Sequence, residues 1–532
     1  MKVGEKRCGA CIKTTSGSPT GLKKHLETHN ISLDAAEPPQ CKQAKIEHYM
    51  GVELIPPGLK RDVAELVAVR LMPVNWLIAS NVLRRWAHAT WKTELPLAHK
   101  TLWKWVEEVV NVAKTKIFEL MEAQKSMPAL DADEWTSSNG KRFINVNAHI
   151  NGQIYSLGLA RIDEKANADF LSSLVQKKMK EFKVNAVFMT TDGASVMSKM
   201  CKNINLIQQK CFLHGINLAI RDTVYNSEAI DEPLPIEITE SDDSDVLESV
   251  DLPTEDIELR PTLKSLIDKV RTCLKKFMGG NKMDALYKIT ERIGTESVAV
   301  VLDVKTRWNS LLPMLRCFVK LFTALRTYAS ENDEEFQFTF SDKENLTKVA
   351  DMLEHVELAI KEIGKEDANL MSADISVTKC CTKLDEIDTD LAREMNTNLI
   401  FRYTQRRQVY SDILWKLEGM DKMDIRNLFY HPPSEESMIE LQQILKPVDK
   451  VSIADADPLD IAKNPEKYKA SYFDKDLLIN VLRSVKPSSI SCERAFSVCA
   501  RVMIPIRAKL AGEKLDWIIF LNHFFVKNLH IK

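Results

Sequence analysis

Asp133 falls near the end of a strand signal that starts at Leu130, and Asp192 follows the apolar run Val184–Met189 in Thr190-Thr191-Asp192-Gly193. Two aspartates at the ends of neighbouring strands can hold divalent metal ions ~3.5–4 Å apart, steadying both the attacking and the leaving oxygen of an in-line phosphoryl displacement. Aspartates after strands are also common turn residues, so a structural reading stands beside the catalytic one. Glu493 lies in Ser491-Cys492-Glu493-Arg494-Ala495-Phe496-Ser497, on a helix-period stretch expected to present Phe496 and Ala500 on an apolar face. That puts Glu493 either at the edge of the core or on the surface beside Arg494. A different chemistry opens the chain. Cys8-x2-Cys11-x13-His25-x3-His29 offers two thiolates and two imidazoles at a spacing that closes a tetrahedral Zn²⁺ site. Lys23 and Lys24 share the histidines' short helix and are placed for a phosphate backbone, although fingers of this spacing also bind protein or are purely structural.

The hydrophobic pattern shows what must position these groups. From Arg61 to about Ala123 apolar residues recur at helical spacing, as in Leu102, Trp105, Val106, Val109 and Val110, with Pro73 and Pro96 as punctuation. Residues 142–150 (RFINVNAHI) alternate apolar and polar side chains, and 154–162 (IYSLGLARI) do much the same after the turn Asn151-Gly152. A helical segment, Asp169–Phe182, leads to the run ending at Asp192. This β-β-β-α-β series predicts a mixed α/β core with parallel and antiparallel pairing. After about Cys211 the chain reads as helical to its end, finishing in the aromatic segment Leu515–Val526. The organisation expected is a finger at 1–30, a linker at 31–60, helices at 61–126, a first core part at 127–226, an acidic loop at 227–260, a helical stretch at 261–470 and a last core part at 471–532.

Charge and composition narrow the class. The net charge of the 532 residues is −2, yet Glu228–Glu258 holds thirteen acidic and no basic residues, which leaves +11 on the remainder. A mildly basic body with one acidic loop can meet phosphate. No apolar stretch is long enough for a membrane span, and the first residues have no apolar region of a secretory signal. Eleven cysteines fit a reducing compartment better than a disulfide framework.

Five motifs then occur in an order that resembles the hAT (hobo–Activator–Tam) transposases: Trp135-Thr136-Ser137 after Asp133, Thr191-Asp192-Gly193-Ala194, Cys211-x2-His214-x2-Asn217-Leu218, Thr306-Arg307-Trp308-Asn309-Ser310, and the seven residues around Glu493. The Cys/His unit resembles a BED-type zinc finger that begins almost at residue 1, so that either the finger is trimmed or the start codon is misplaced. The resemblance spans most of the chain. It implies an RNase H-like core, a mixed five-stranded sheet interrupted by an all-helical insertion, whose DDE carboxylates are Asp133, Asp192 and Glu493 holding Mg²⁺ or Mn²⁺. Asp131 is a rival for the first place, but the family sets that acid two residues before the Trp, which selects Asp133. Cys211 and His214 match a motif near the active site, with a packed core pair as the alternative. Arg307 and Trp308 match an insertion motif whose Trp stacks on a flipped base, against the plainer reading of a core aromatic. Trp517, Phe520, Leu521 and Phe524 correspond to the dimerisation region, and packing back on the core is compatible with that. Three departures are visible: the early start of the finger, Cys492 in place of a small hydroxyl residue, and a shortened insertion near Tyr430-His431-Pro432-Pro433.

The function implied is metal-dependent cleavage at transposon ends followed by strand transfer. The alternative is a transposase-derived, catalytically silent DNA-binding regulator. Double-stranded DNA and a second copy of the chain are the partners expected, with no membrane, and the nucleus is the compartment inferred from function.

Overall fold

In the computed structural model the described residues are 2–3, 6–7, 56–124, 126–164, 166–225, 259–278, 280–304, 308–420, 426–445, 475–503, 510 and 512–527. The zinc-site residues Cys8, Cys11, His25 and His29, with Lys23, Lys24, Arg307 and the acidic stretch 226–258, lie outside them.

The chain forms two compact units, 1–60 with 81–95, and 61–80 with 96–532. The span 61–126 is therefore divided between them and is not a body of its own. In the smaller unit, β1 (Lys2–Val3) pairs antiparallel with β2 (Lys6–Arg7). Helix α1 runs Pro57–Ala68, so its first four residues fall inside the stretch read as linker; proline's missing N–H costs nothing at a helix start. Most of α1 and all of α2 (Val74–Ala79) belong to the larger unit, whereas α3 (Asn81–Trp91) is in the smaller one, where Arg84 Nη1 donates to Leu95 O at 3.1 Å.

In the larger unit, α4 (His99–Ala123) buries Leu102, Trp105, Val106, Val109, Val110, Ala113, Ile117 and Met121, the stripe its periodicity predicts. Strands β3 (Ala129–Thr136), β4 (Arg142–Ile150) and β5 (Gln153–Ile162) follow as an antiparallel meander. Asn151 and Gly152 both take positive φ, 48° and 77°, which is the pairing a two-residue hairpin turn demands. Helix α5 (Ala168–Glu181) crosses to β6 (Phe188–Thr191), and α6 (Ser195–Asn203) crosses to β7 (Ile207–Lys210). The sheet order is β5-β4-β3-β6-β7, with β3–β6 and β6–β7 parallel. The mixed sheet of five strands expected is thus present, β3 at its centre.

Helix α7 (Phe212–Val224) leaves the sheet, and a helical region follows: α8 (Pro261–Lys275), α9 (Asn281–Ile293), α10 (Trp308–Glu331), α11 (Phe340–Ile363), α12 (Leu370–Asp385), α13 (Asp390–Thr404), α14 (Val409–Leu417) and α15 (Glu435–Ile444). Side chains cap several starts: Thr339 and Asp342 close a reciprocal box on α11, and Asn369 and Ser372 one on α12. The chain then returns to the sheet through α16 (Lys475–Ser484), α17 (Ile490–Val502) and α18 (Gly512–Val526).

Helix α18 packs on β5 within the same chain. Phe520, Leu521 and Phe524 are buried there with Leu515, Ile518 and Ile519, while Trp517 is half-buried 6.2 Å from the Trp103 ring. Three of the four residues assigned to a dimer face are therefore spent in this chain's own core. Docking depends on Gly158, whose φ of +96° and missing Cβ let Asp516 approach. Asp516 accepts from Leu159 N at 2.6 Å and from the buried Lys178 Nζ at 2.7 Å, whereas a Cβ on residue 158 would lie 2.2 Å from Asp516 Oδ1. Gly158→Ala is expected to cost at least about 1–3 kcal/mol in urea unfolding, the scale of a residue forced into a glycine-only conformation; an unchanged midpoint would count against this docking.

Candidate active site

Side chains two apart on a strand share a face. One face of β3 therefore presents Ala129, Asp131, Asp133 and Trp135. The register that pairs Asp133 with Asn145 sets Phe143, Asn145, Asn147 and His149 of β4 on that same face. Helix α17 covers it: the Phe496 ring stacks 5.9 Å from Trp135, which in turn lies 6.0 Å from Phe143. The apolar face of α17 consists of Cys492, Phe496, Cys499 and Val502, whereas Ala500, expected there, is exposed.

The three carboxylates converge at one end of this sheet. Asp131 pairs with Thr190 across β3 and β6, and continuing that parallel register brings Asp133 level with Asp192, one strand away. Asp192 follows β6 directly, and its Oδ1 accepts from Ala194 N at 3.1 Å. Gln208 on β7 braces the same loop, donating to Thr191 Oγ1 at 2.7 Å and to Asp192 O at 3.1 Å. Glu493 sits in the first turn of α17 with an exposed side chain. Asp133 is half-buried and accepts from Glu134 N at 2.8 Å and Ser489 Oγ at 3.2 Å. Burial, followed by the negative charges of Asp192 and Glu493, pushes the Asp133 carboxyl well above the ordinary carboxylate range. Desolvation raises Glu493 too, with Arg494 opposing. A carboxyl whose ionisation two neighbouring acids oppose belongs to a set of hard oxygen donors whose repulsion a divalent cation would relieve. Among the described residues no three His, Cys, Asp or Glu side chains are gathered closely enough to hold a metal ion already.

Cys211 caps α7, its N–H donating to Thr191 O at 2.7 Å. Burial raises its thiol to about 11, against hydrogen bonds from Ser489 and His214, and the nearby Asp133 charge adds to the rise. A protonated thiol of this kind is neither a nucleophile nor a ready metal ligand. His214 is half-buried on α7, as is Trp308 at the start of α10, whose Nε1 donates to the exposed Asn217 Oδ1 at 3.3 Å. Trp308 thus leans on the helix that starts beside the carboxylates, and its ring packs partly against the apolar core.

Two sets of residues escaped the reading of the sequence. Arg406, in the turn after α13, is buried beside two glycines: its Nη2 lies 3.5 Å from where a Cβ of Gly193 would be, and its Nε 3.1 Å from that of Gly215. A guanidinium therefore flanks the Asp192-Gly193 loop from the helical region. The second set is Asn145, Asn147 and His149, which join Asp131, the acid weighed against Asp133, in a buried polar stripe. Its signal was the alternation in residues 142–150, whose polar members face a covering helix rather than water.

No family model matches the chain, and no curated protein does. Among solved structures it is similar to the Drosophila P element transposase strand transfer complex, at 12% identity and a TM-score of 0.30, over 87% of this chain and all of that one. Likeness at that level leaves fold family and function to this chain's own residues. No helix among the described residues is long and apolar enough to cross a membrane.

Proposed function

We propose that the protein is a DNA transposase of hAT type, with an RNase H-like core carrying Asp133, Asp192 and Glu493 and a helical insertion between the second and third acids. One observation carries this reading: three acids far apart in sequence meet at one end of a mixed sheet, closely enough that two of them raise the pKa of the third. Carboxylate oxygens are the hard donors that Mg²⁺ or Mn²⁺ takes, and Asp133, Asp192 and Glu493 are the residues that would hold it. The bound cation supplies charge neutralisation for displacement at a phosphodiester. Ser489 and the Glu134 N–H orient the Asp133 carboxylate, Gln208 and the Ala194 N–H hold the Asp192 loop, and α17 carries Glu493 to the same edge. Arg406 adds positive charge beside that loop, and Trp308, bound to Asn217 on α7, offers a face for an unstacked base. The finger and the basic helices around Arg84 and Arg85 would grip the terminal repeats.

The decisive experiment is cleavage of DNA bearing the inverted repeats that flank this protein's gene. Mg²⁺- or Mn²⁺-dependent nicking at the repeat end, lost in Asp133→Asn, supports the transposase. Binding without nicking by either protein replaces it with a silent DNA-binding regulator. For the finger, Zn²⁺ chelation or Cys8→Ser is expected to weaken specific DNA binding at least about tenfold in a titration, since such units fold only with their metal; unchanged affinity removes the finger from DNA recognition.

A further inference from the structure

Asp131 is fully buried, although it stands only two residues from Asp133 on the same face of β3. An ionised carboxylate taken out of water is costly unless its oxygens are engaged. Here both are. Asn147 Nδ2 donates to Oδ1 at 2.8 Å, the Cys492 thiol donates to Oδ1 at 3.4 Å, the Ser491 hydroxyl donates to Oδ2, and His149 Nε2 stands 3.0 Å from Oδ2. Burial alone would raise this carboxyl, but the His149 charge and these hydrogen bonds outweigh it and hold it below its ordinary value. Asn145 and Asn147 complete the arrangement, their amides donating to Cys492 Sγ at 3.5 and 3.4 Å.

Two of these contacts come from Ser491 and Cys492, the residues immediately before Glu493. Ser489, at the start of the same helix, is bound to Asp133. The first turn of α17 is thus pinned to β3 by three polar anchors at 489, 491 and 492, and Glu493 takes its direction from that turn. A helix turns about 100° per residue, so a small slip of this turn would aim the third acid elsewhere.

We propose that Asp131 is a positioning residue, which locks the first turn of α17 and thereby holds Glu493 towards Asp133 and Asp192. The proposal rests on the reading of those three acids as the catalytic set, and it assigns Asp131 a task distinct from theirs.

The test compares full-length wild type with Asp131→Ala, Asp131→Asn and Asp133→Asn by hydrogen exchange at residues 490–494 and by calorimetric titration with Mn²⁺ alone. In Asp131→Ala, exchange in that turn is expected to accelerate about tenfold and Mn²⁺ affinity to fall roughly 10–100-fold, the range for residues that orient metal ligands. Asp131→Asn, which keeps one acceptor oxygen and the volume, should recover part of both losses. Asp133→Asn, whose amide oxygen can still accept from Ser489, should weaken Mn²⁺ binding while accelerating exchange at 490–494 much less than Asp131→Ala does. Unchanged exchange in Asp131→Ala overturns the proposal, and if Mn²⁺ binding is nevertheless lost, Asp131 is itself a ligand. Should the Ala variant fail to fold, wild-type exchange together with wild-type Mn²⁺ affinity in Asp131→Asn overturns it equally. If wild type binds no Mn²⁺, the catalytic reading fails, and the exchange comparison still decides whether Asp131 holds α17.

Discussion

Asp133→Asn is expected to be inactive in DNA cleavage and, without metal, more stable than wild type. Removing one member of a catalytic unit costs about 10³-fold or more, because the remaining members cannot act alone. The gain in stability follows from the raised pKa of Asp133, which burial and the charges of Asp192 and Glu493 produce. A carboxyl whose folded pKa exceeds its unfolded value near 3.9 binds its proton more tightly in the folded state. Stability therefore falls as pH rises from the unfolded value towards the folded one, and the full cost is present once both are ionised. Asparagine keeps the shape and an acceptor for the Glu134 N–H without that cost. A rise in Tm of about 1–3 °C is the expected scale at neutral pH, since 1 kcal/mol reads out as a few degrees in a large domain. Adding Mn²⁺ should reverse the order: a cation at a hundred times its dissociation constant stabilises wild type by about 2.7 kcal/mol and the variant far less. The same carboxyl is expected to take up a proton early on acidification, weakening cation binding at a higher pH than an ordinary aspartate would. A metal-free variant melting below wild type, or equal protection of both by Mn²⁺, removes Asp133 from the role.

Asp374→Ala is expected to destabilise the helical region by about 3–5 kcal/mol, the cost of breaking a buried ion pair from one side. Asp374 is fully buried on α12 and serves as acceptor for a whole neighbourhood. Arg407 Nε and Nη2 donate to it at 2.9 Å each, the Tyr403 hydroxyl at 2.8 Å, Trp415 Nε1 at 2.9 Å and Asn427 Nδ2 at 3.3 Å. Alanine leaves buried donors on α13, on α14 and in the segment after it without this acceptor, although Asp412 still holds the outer side of Arg407 at 2.6 and 2.8 Å. Urea unfolding is the measurement, and a loss below about 1 kcal/mol would show that water or a neighbour replaces the carboxylate. The effect reaches the candidate site. The Tyr403 ring lies 4.5 Å from that of Phe212, next to Cys211, and Arg406 adjoins the Asp192 loop, so the helical region is packed against the end of the sheet that carries the candidate site.

The elements with local signals were legible. Alternation and Asn151-Gly152 located β4 and β5, and five of the apolar residues read on α4, Leu102, Trp105, Val106, Val109 and Val110, are buried, whereas Val112 of the same pattern is exposed. The run Val184–Met189 was read as a strand, yet pairing with β3 and β7 selects Phe188–Thr191, because ladder partners rather than apolarity set the ends. Strand β7 (IQQK) is four residues long with two glutamines and carries no pattern to read. The two aspartates were visible as strand-end residues, but their meeting with Glu493 came only from the ordered motifs. The polar residues of the 142–150 alternation lie buried under α17, which alternation alone does not reveal. Their cover lies some 345 residues further along, and no local window holds that information.

That separation has a consequence in time. Asp131 and the Ser491 hydroxyl that engages it are 360 residues apart. At about 5–20 residues per second, a ribosome delivers the covering helix roughly twenty seconds to over a minute after the central strands. Throughout that interval the nascent sheet has neither α17 over its polar stripe nor α18 over β5, and the bound Asp516 that Gly158 admits has not been made. The first half of the core is therefore complete only when α17 and α18 have been made and can close over it.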